Sequence, residues 1–111
     1  MYHAQYLSFM ERARTELLNR SGVDLAELAD KRGVQFMVAS LEVKYHRAGR
    51  LNELVSVSAE VVKIGRASVV FRQLVERENE LLVEAQVTLA VVDRSRMKPA
   101  RMPHELEQAL N

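Results

Sequence analysis

The side chains able to do chemistry are few, and they fall into two groups. The chain has three histidines (His3, His46 and His104) and no cysteine. Disulfides, thiolate metal sites and a cysteine nucleophile are therefore excluded. His46 and His104 have no ligand spacing with any acid, so no metal site is expected and both read as surface residues. The four glycines show no phosphate-loop spacing, and no Gly-x-Ser-x-Gly elbow occurs, so a serine-hydrolase mechanism has no support. The first remaining group is Tyr2, His3 and Glu11, at the head of the chain. A histidine ring can orient water or substrate there, and a carboxylate can act as a base. The plainer reading makes Tyr2-His3 a frayed terminus and Glu11 one charge among Arg12 and Arg14 on a solvated helix face. The second group is Lys63, Arg66 and Ser68, around a turn. Arginine's planar fork suits phosphate because it can hold two oxygens at once. Charges also gather at solvated hairpin ends with no ligand to bind. Arg47 and Arg50 are a weaker case of the same kind.

The elements that position these groups follow from periodicity. Tyr6, Phe9, Met10, Ala13, Leu17 and Leu18 share one face of a helix, with Glu11, Arg12, Arg14, Glu16 and Arg20 elsewhere. Ser21-Gly22 ends it, since glycine tolerates the left-handed cap. A short second helix follows, with Asp24 as N-cap, Glu27 three residues on, and Gly33 as its stop. From Val34 the period becomes two. Met37, Ala39, Leu41, Val43 and Tyr45 alternate with Val38, Ser40, Glu42 and Lys44. Val55, Val57, Ala59 and Val61 form a second series, whose phase slips where Val62 and Ile64 flank Lys63; a bulge or the strand end explains this. Ile64-Gly65-Arg66-Ala67 is a tight turn, a third strand runs over 68–76, and Glu78-Asn79-Glu80 is a hairpin turn. Leu81, Val83, Ala85, Val87, Leu89 and Val91 line one side of the last strand. HELEQAL forms one or two terminal helical turns.

Helix, short helix and four long strands, three of them joined by short loops, imply an antiparallel meander. The strands cannot bury their apolar face alone, so the first helix must lie across it. The class is α+β: one curved antiparallel sheet wrapped around a central helix, as a single domain over 1–111. At 111 residues with 48% apolar and 28% charged residues, the chain can hold one continuous core. Sixteen basic against fifteen acidic residues argues against nucleic-acid binding. Neither a signal peptide nor a membrane span is expected, and a soluble, cytoplasmic protein is.

Two stretches carry a resemblance. The opening YHAQYLSFMERARTELL resembles the helix-start signature of the 4-hydroxybenzoyl-CoA thioesterase-like hotdog proteins. It is similar, more narrowly, to the acyl-CoA thioesterases associated with the bacterial Tol-Pal system. The tail VVDRSRMKPARMP, with VKYHRAGRLNELVSV and KIGRASVVF between, matches that group in order and distance. The resemblance spans essentially the whole chain and implies a hotdog fold. It implies hydrolysis of short-chain or aromatic acyl-CoA, or of acyl-carrier-protein thioesters, with coenzyme A as part of the substrate and no separate cofactor. The amide matching His3 would serve as oxyanion donor, with Tyr2 beside it. Lys63, Arg66 and Ser68 would meet the coenzyme A phosphates.

The chain also departs from that pattern. Family members begin with another strand and an Asp-x-x-Gly-x-Val-Tyr-His loop whose aspartate is the catalytic carboxylate. Here the match starts at Met1-Tyr2-His3, so the aspartate and the first strand would lie before Met1. A truncated or mis-started chain is the favoured expectation, and a variant without the standard chemistry the other. Some hotdog subgroups take a carboxylate from the central helix, which keeps Glu11 as a candidate. A non-catalytic ligand-binding or scaffold subunit is the alternative function. A hotdog dehydratase fits poorly, because its histidine–carboxylate pair is not found. The long apolar strand ending at Tyr45 is a liability unless paired, so a homodimer or homotetramer is expected.

Overall fold

The computed structural model describes residues 2–47 and 55–110. Helix α1 spans Tyr2–Arg20. It stops at Gly22, whose φ of +83° is a left-handed geometry that a Cβ would strain. Helix α2 begins at Leu25–Glu27 and continues as a π-helical turn over Leu28–Arg32. Asp24 caps it by accepting a hydrogen bond from the Glu27 amide at 3.1 Å, which satisfies a first-turn donor that the helix cannot. Gly33, at φ +67°, turns the chain into the sheet.

The strands are β1 Val34–Tyr45, β2 Ser56–Ile64, β3 Ser68–Arg77 and β4 Glu80–Asp93. All pair antiparallel in the order β1-β4-β3-β2. The two-residue turn Glu78-Asn79 has positive φ at both positions, the type I′ geometry whose twist matches a hairpin. Helix α3, His104–Leu110, follows the tail. Among the described residues no helix is long and apolar enough to cross a membrane.

The inner face of the sheet carries Val69, Phe71, Gln73 and Val75 of β3 and Val83, Ala85, Val87, Leu89 and Val91 of β4, all buried. Tyr6 and Met10 of α1 pack with Val75, Leu82 and Val83, while Leu18 packs with Val69, Phe71, Val87 and Leu106. The helix therefore runs along the sheet, its N-terminal half over the Val75 end and its C-terminal half over the Val69 end.

The ladders slip by one residue at three places. On β2 the slip passes over Val62, so Val57, Ala59, Val61 and then Ile64 share the inner face, as the phase change in the sequence requires. On β1 the slip passes over Ala39. Val34, Phe36 and Val38 therefore share a face with Leu41, Val43 and Tyr45, and Met37 points to the other side. This corrects the single Met37-to-Tyr45 series expected from alternation. On β4, Val83 lies opposite Val75 but Leu81 opposite Glu76, so Leu82 is supernumerary and is wholly buried. The core residue is Leu82 rather than the expected Leu81, because a bulge lets two successive side chains reach one side.

Candidate functional site

The described residues place the expected ligand-binding candidates at two ends of the fold, far apart. The first is the N-terminus of α1. The first four backbone N–H groups of a helix have no intrahelical partner, and the helix dipole adds partial positive charge there. The His3 amide is one of these four, and the first turn contains no acidic residue to compete for them. The side chains of Tyr2 and His3 lie outside the described residues. Glu11, two turns on, is exposed; burial lowers the proton affinity of Arg14, and the Glu11 carboxylate offsets this only in part.

The second place is the turn from β2 to β3. Lys63 is the last residue but one of β2, Arg66 occupies the turn and Ser68 opens β3, so the three expected residues lie along one hairpin. Lys63 and Arg66 are exposed and Ser68 is half-buried. The turn is held by the Gly65 amide donating to the Ser68 carbonyl at 2.8 Å. A Cβ on Gly65 would lie 2.8 Å from the Ser68 hydroxyl, so a larger residue would displace that side chain. The tail fixes the turn from outside, because the Met102 amide donates to the Arg66 carbonyl at 2.7 Å. Beside this end lies an apolar cavity of about 310 Å³, lined by Leu25, Leu28, Val34, Gln35, Phe36, Val91 and Leu106.

Along β3, Ser68 and Val75 are seven residues apart, about 23 Å at strand rise. The hairpin and the N-terminus of α1 thus sit at opposite ends of the subunit. The helix N-terminus shares its end with the close of β1, where the His46 amide donates to the Leu82 carbonyl at 2.8 Å. Arg47 stands there in an ion pair with Glu80 at 3.3 Å, and Arg50 lies outside the described residues. His46 is exposed and bonds the Glu84 carboxylate at 3.4 Å. That bond, with one from Arg72, holds the Glu84 carboxyl below the usual carboxylate range. No group of three or more metal-ligating side chains occurs among the described residues.

One polar contact in the core has no motif to mark it. Gln73, the buried polar side chain in the core, donates to the Met10 carbonyl at 2.8 Å and accepts from the Arg14 guanidinium at 2.8 Å. The signal was available: Gln73 stands in phase with Val69, Phe71 and Val75. Arg14, expected to face away from the core, is half-buried, and burial lowers its proton affinity.

A single long helix held in the curve of an antiparallel sheet defines a hotdog fold. The sequence profile of the thioesterase superfamily matches residues 1–84. The acyl-CoA thioesterase YbgC of Haemophilus influenzae is 36% identical over 111 residues, which is 100% of this chain and 82% of that protein. The crystal structure of a probable thioesterase from Bartonella henselae superposes with a TM-score of 0.83 at 29% identity, covering 93% of this chain and 85% of that one. A thioesterase from Thermus thermophilus, crystallised with coenzyme A and zinc, gives 0.80 at 29% identity, covering 96% and 75%. The chain belongs to the thioesterase superfamily.

Proposed function

We propose that the chain hydrolyses acyl-CoA thioesters, short-chain or aromatic, in the cytoplasm, as a homodimer with shared sites. Water adds to the thioester carbonyl, the C–S bond breaks, and coenzyme A leaves as the thiol beside a free acid. The N-terminal amides of α1, that of His3 among them, stabilise the oxyanion as it forms. Within the chain Glu11 is the candidate carboxylate to take the water's proton; the family pattern instead draws it from an Asp-x-x-Gly-x-Val-Tyr-His loop. Coenzyme A enters as part of the substrate, its phosphates against Lys63, Arg66 and Ser68, and no separate cofactor is required. Relatives that act on acyl-CoA and one crystallised with coenzyme A support the substrate class.

The observation that carries the shared site is the bare edge of β1. Val38, Leu41 and Tyr45 face the inner side yet stay 53%, 41% and 48% exposed, on a strand that among the described residues forms an edge of the sheet. Such an edge invites another strand. Antiparallel pairing with the same strand of a second copy is isologous, and it reverses the partner end for end. The partner's basic hairpin and apolar cavity then come to the end that holds this subunit's α1 N-terminus. The radius of gyration, 15.0 Å, against about 13 Å for a compact chain of this length, fits half of a larger body.

The test is release of coenzyme A from short, medium and aromatic acyl-CoA substrates, read with a thiol-reactive dye. Glu11→Gln and a form extended upstream through Asp-x-x-Gly-x-Val run alongside. Turnover by the chain that Glu11→Gln abolishes assigns the carboxylate to Glu11. Turnover by the extended form alone assigns it upstream. Coenzyme A binding without hydrolysis in every form sinks the enzymatic reading and leaves a ligand-binding subunit.

A further inference from the structure

Helix α1 meets the sheet mainly through apolar contacts, which are non-directional and would tolerate sliding. One turn is different. The Met10 carbonyl accepts from the Gln73 side-chain amide, and Arg14, one turn later, donates to the Gln73 oxygen, each at 2.8 Å. The sheet makes room for this contact. Gln73 lies between Ala59 of β2 and Ala85 of β4, whereas the rows on either side hold Val57-Val75-Val83 and Val61-Phe71-Val87. A wholly buried amide flanked by the two smallest side chains of the inner face divides the core into its two clusters. A buried polar group left without partners is costly, so the helix is held where both bonds form. A slip of one residue along α1 would move it about 1.5 Å and rotate it by about 100°.

We propose that Gln73 and Arg14 are positioning residues that lock the 10–14 turn of α1 to β3 and so place its N-terminal amides at the reacting carbonyl. The inference rests on the role given above to those amides. Misplacement of a donor by about 1 Å costs on the order of a hundredfold in rate. Loss of the lock therefore lowers kcat by roughly tenfold to a hundredfold while KM, set by contacts elsewhere, stays within about twofold.

Gln73→Glu removes one of the two bonds and keeps the other. Its carboxylate still pairs with Arg14 but offers no donor to the Met10 carbonyl. Gln73→Met, Arg14→Met and Arg14→Lys complete the set. Each is measured for kcat and KM well below its melting temperature, and for amide exchange over residues 4–9 by mass spectrometry. The expected result is a Gln73→Glu protein with lowered melting, unchanged KM, faster exchange, and a loss of kcat larger than its loss of melting temperature accounts for across the set. Arg14→Lys should recover activity that Arg14→Met loses. Wild-type kcat in both Gln73 variants, or rate loss that simply follows melting temperature across the set, overturns the proposal. So does exchange unchanged from wild type. If neither the wild type nor the extended form hydrolyses anything while Gln73→Glu speeds exchange, the lock stands and the hydrolase reading falls.

Discussion

The bare β1 edge makes a quantitative prediction about Leu41. In the isolated subunit its side chain is 41% exposed, and full burial of a leucine is worth about 1.5–3 kcal/mol. Covering the remainder contributes about 1 kcal/mol. A two-fold interface contains the residue twice, so the pair contributes about 2 kcal/mol. Leu41→Lys removes that contribution and brings two ammonium groups into the same region. The dissociation constant should rise at least about thirtyfold, since each 1.4 kcal/mol is a factor of ten. Glu42→Lys, on the opposite face, is the control for added positive charge. Sedimentation velocity over a concentration series reads both. The wild type and Glu42→Lys should sediment as dimers where Leu41→Lys is largely monomeric. A wild type that is monomeric at tens of micromolar, or a Leu41→Lys protein that assembles like it, refutes the β1 interface.

Arg66→Ala should raise KM for acyl-CoA several-fold with kcat little changed, and the difference should shrink at high salt; an unchanged KM removes the hairpin from the binding site. Phe71→Ala, at a wholly buried position, should cost about 3–5 kcal/mol, a large part of a small domain's stability, and Phe71→Leu much less; denaturant titration compares the two. Asp93 is held below its usual protonation range by the Ser95 hydroxyl and the Arg96 and Ser95 amides. Its contribution is therefore present above the unfolded carboxylate pKa and lost as pH falls through the lower folded value. Asp93→Ala should melt below wild type at pH 7, with the gap narrowing in acid. A gap that widens on acidification contradicts that sign.

Much of the fold was legible because local chemistry and global packing agree. Gly22, Asp24 and Gly33 mark their boundaries through backbone constraints that act within a few residues. The slip at Val62 was legible because Lys63 interrupts an apolar series. The slips at Ala39 and Leu82 were not, since Met37-Val38-Ala39 and Leu81-Leu82-Val83 fit either phase equally well. Only pairing with a distant strand decides between them. The basic hairpin assembled as the sequence implied. Its distance from the α1 N-terminus could not be read, because it depends on the direction in which α1 crosses the sheet, and contacts such as Met10 with Val75 set that. The Gln73–Arg14 contact joins residues 59 apart and has no short-range signature beyond two polar residues standing in apolar phase.

The supernumerary residues Ala39 and Val62 bear on how such a chain can change in length. Losing one residue inside a strand ordinarily turns everything beyond it to the wrong face. At these two positions it does not: without Ala39, Val38 and Leu41 still point inward across an unbroken ladder, and without Val62 so do Val61 and Ile64. Lineages can therefore shed a codon at either place and keep every apolar side chain where it belongs. What they surrender is bend, and a flatter sheet holds its helix less closely.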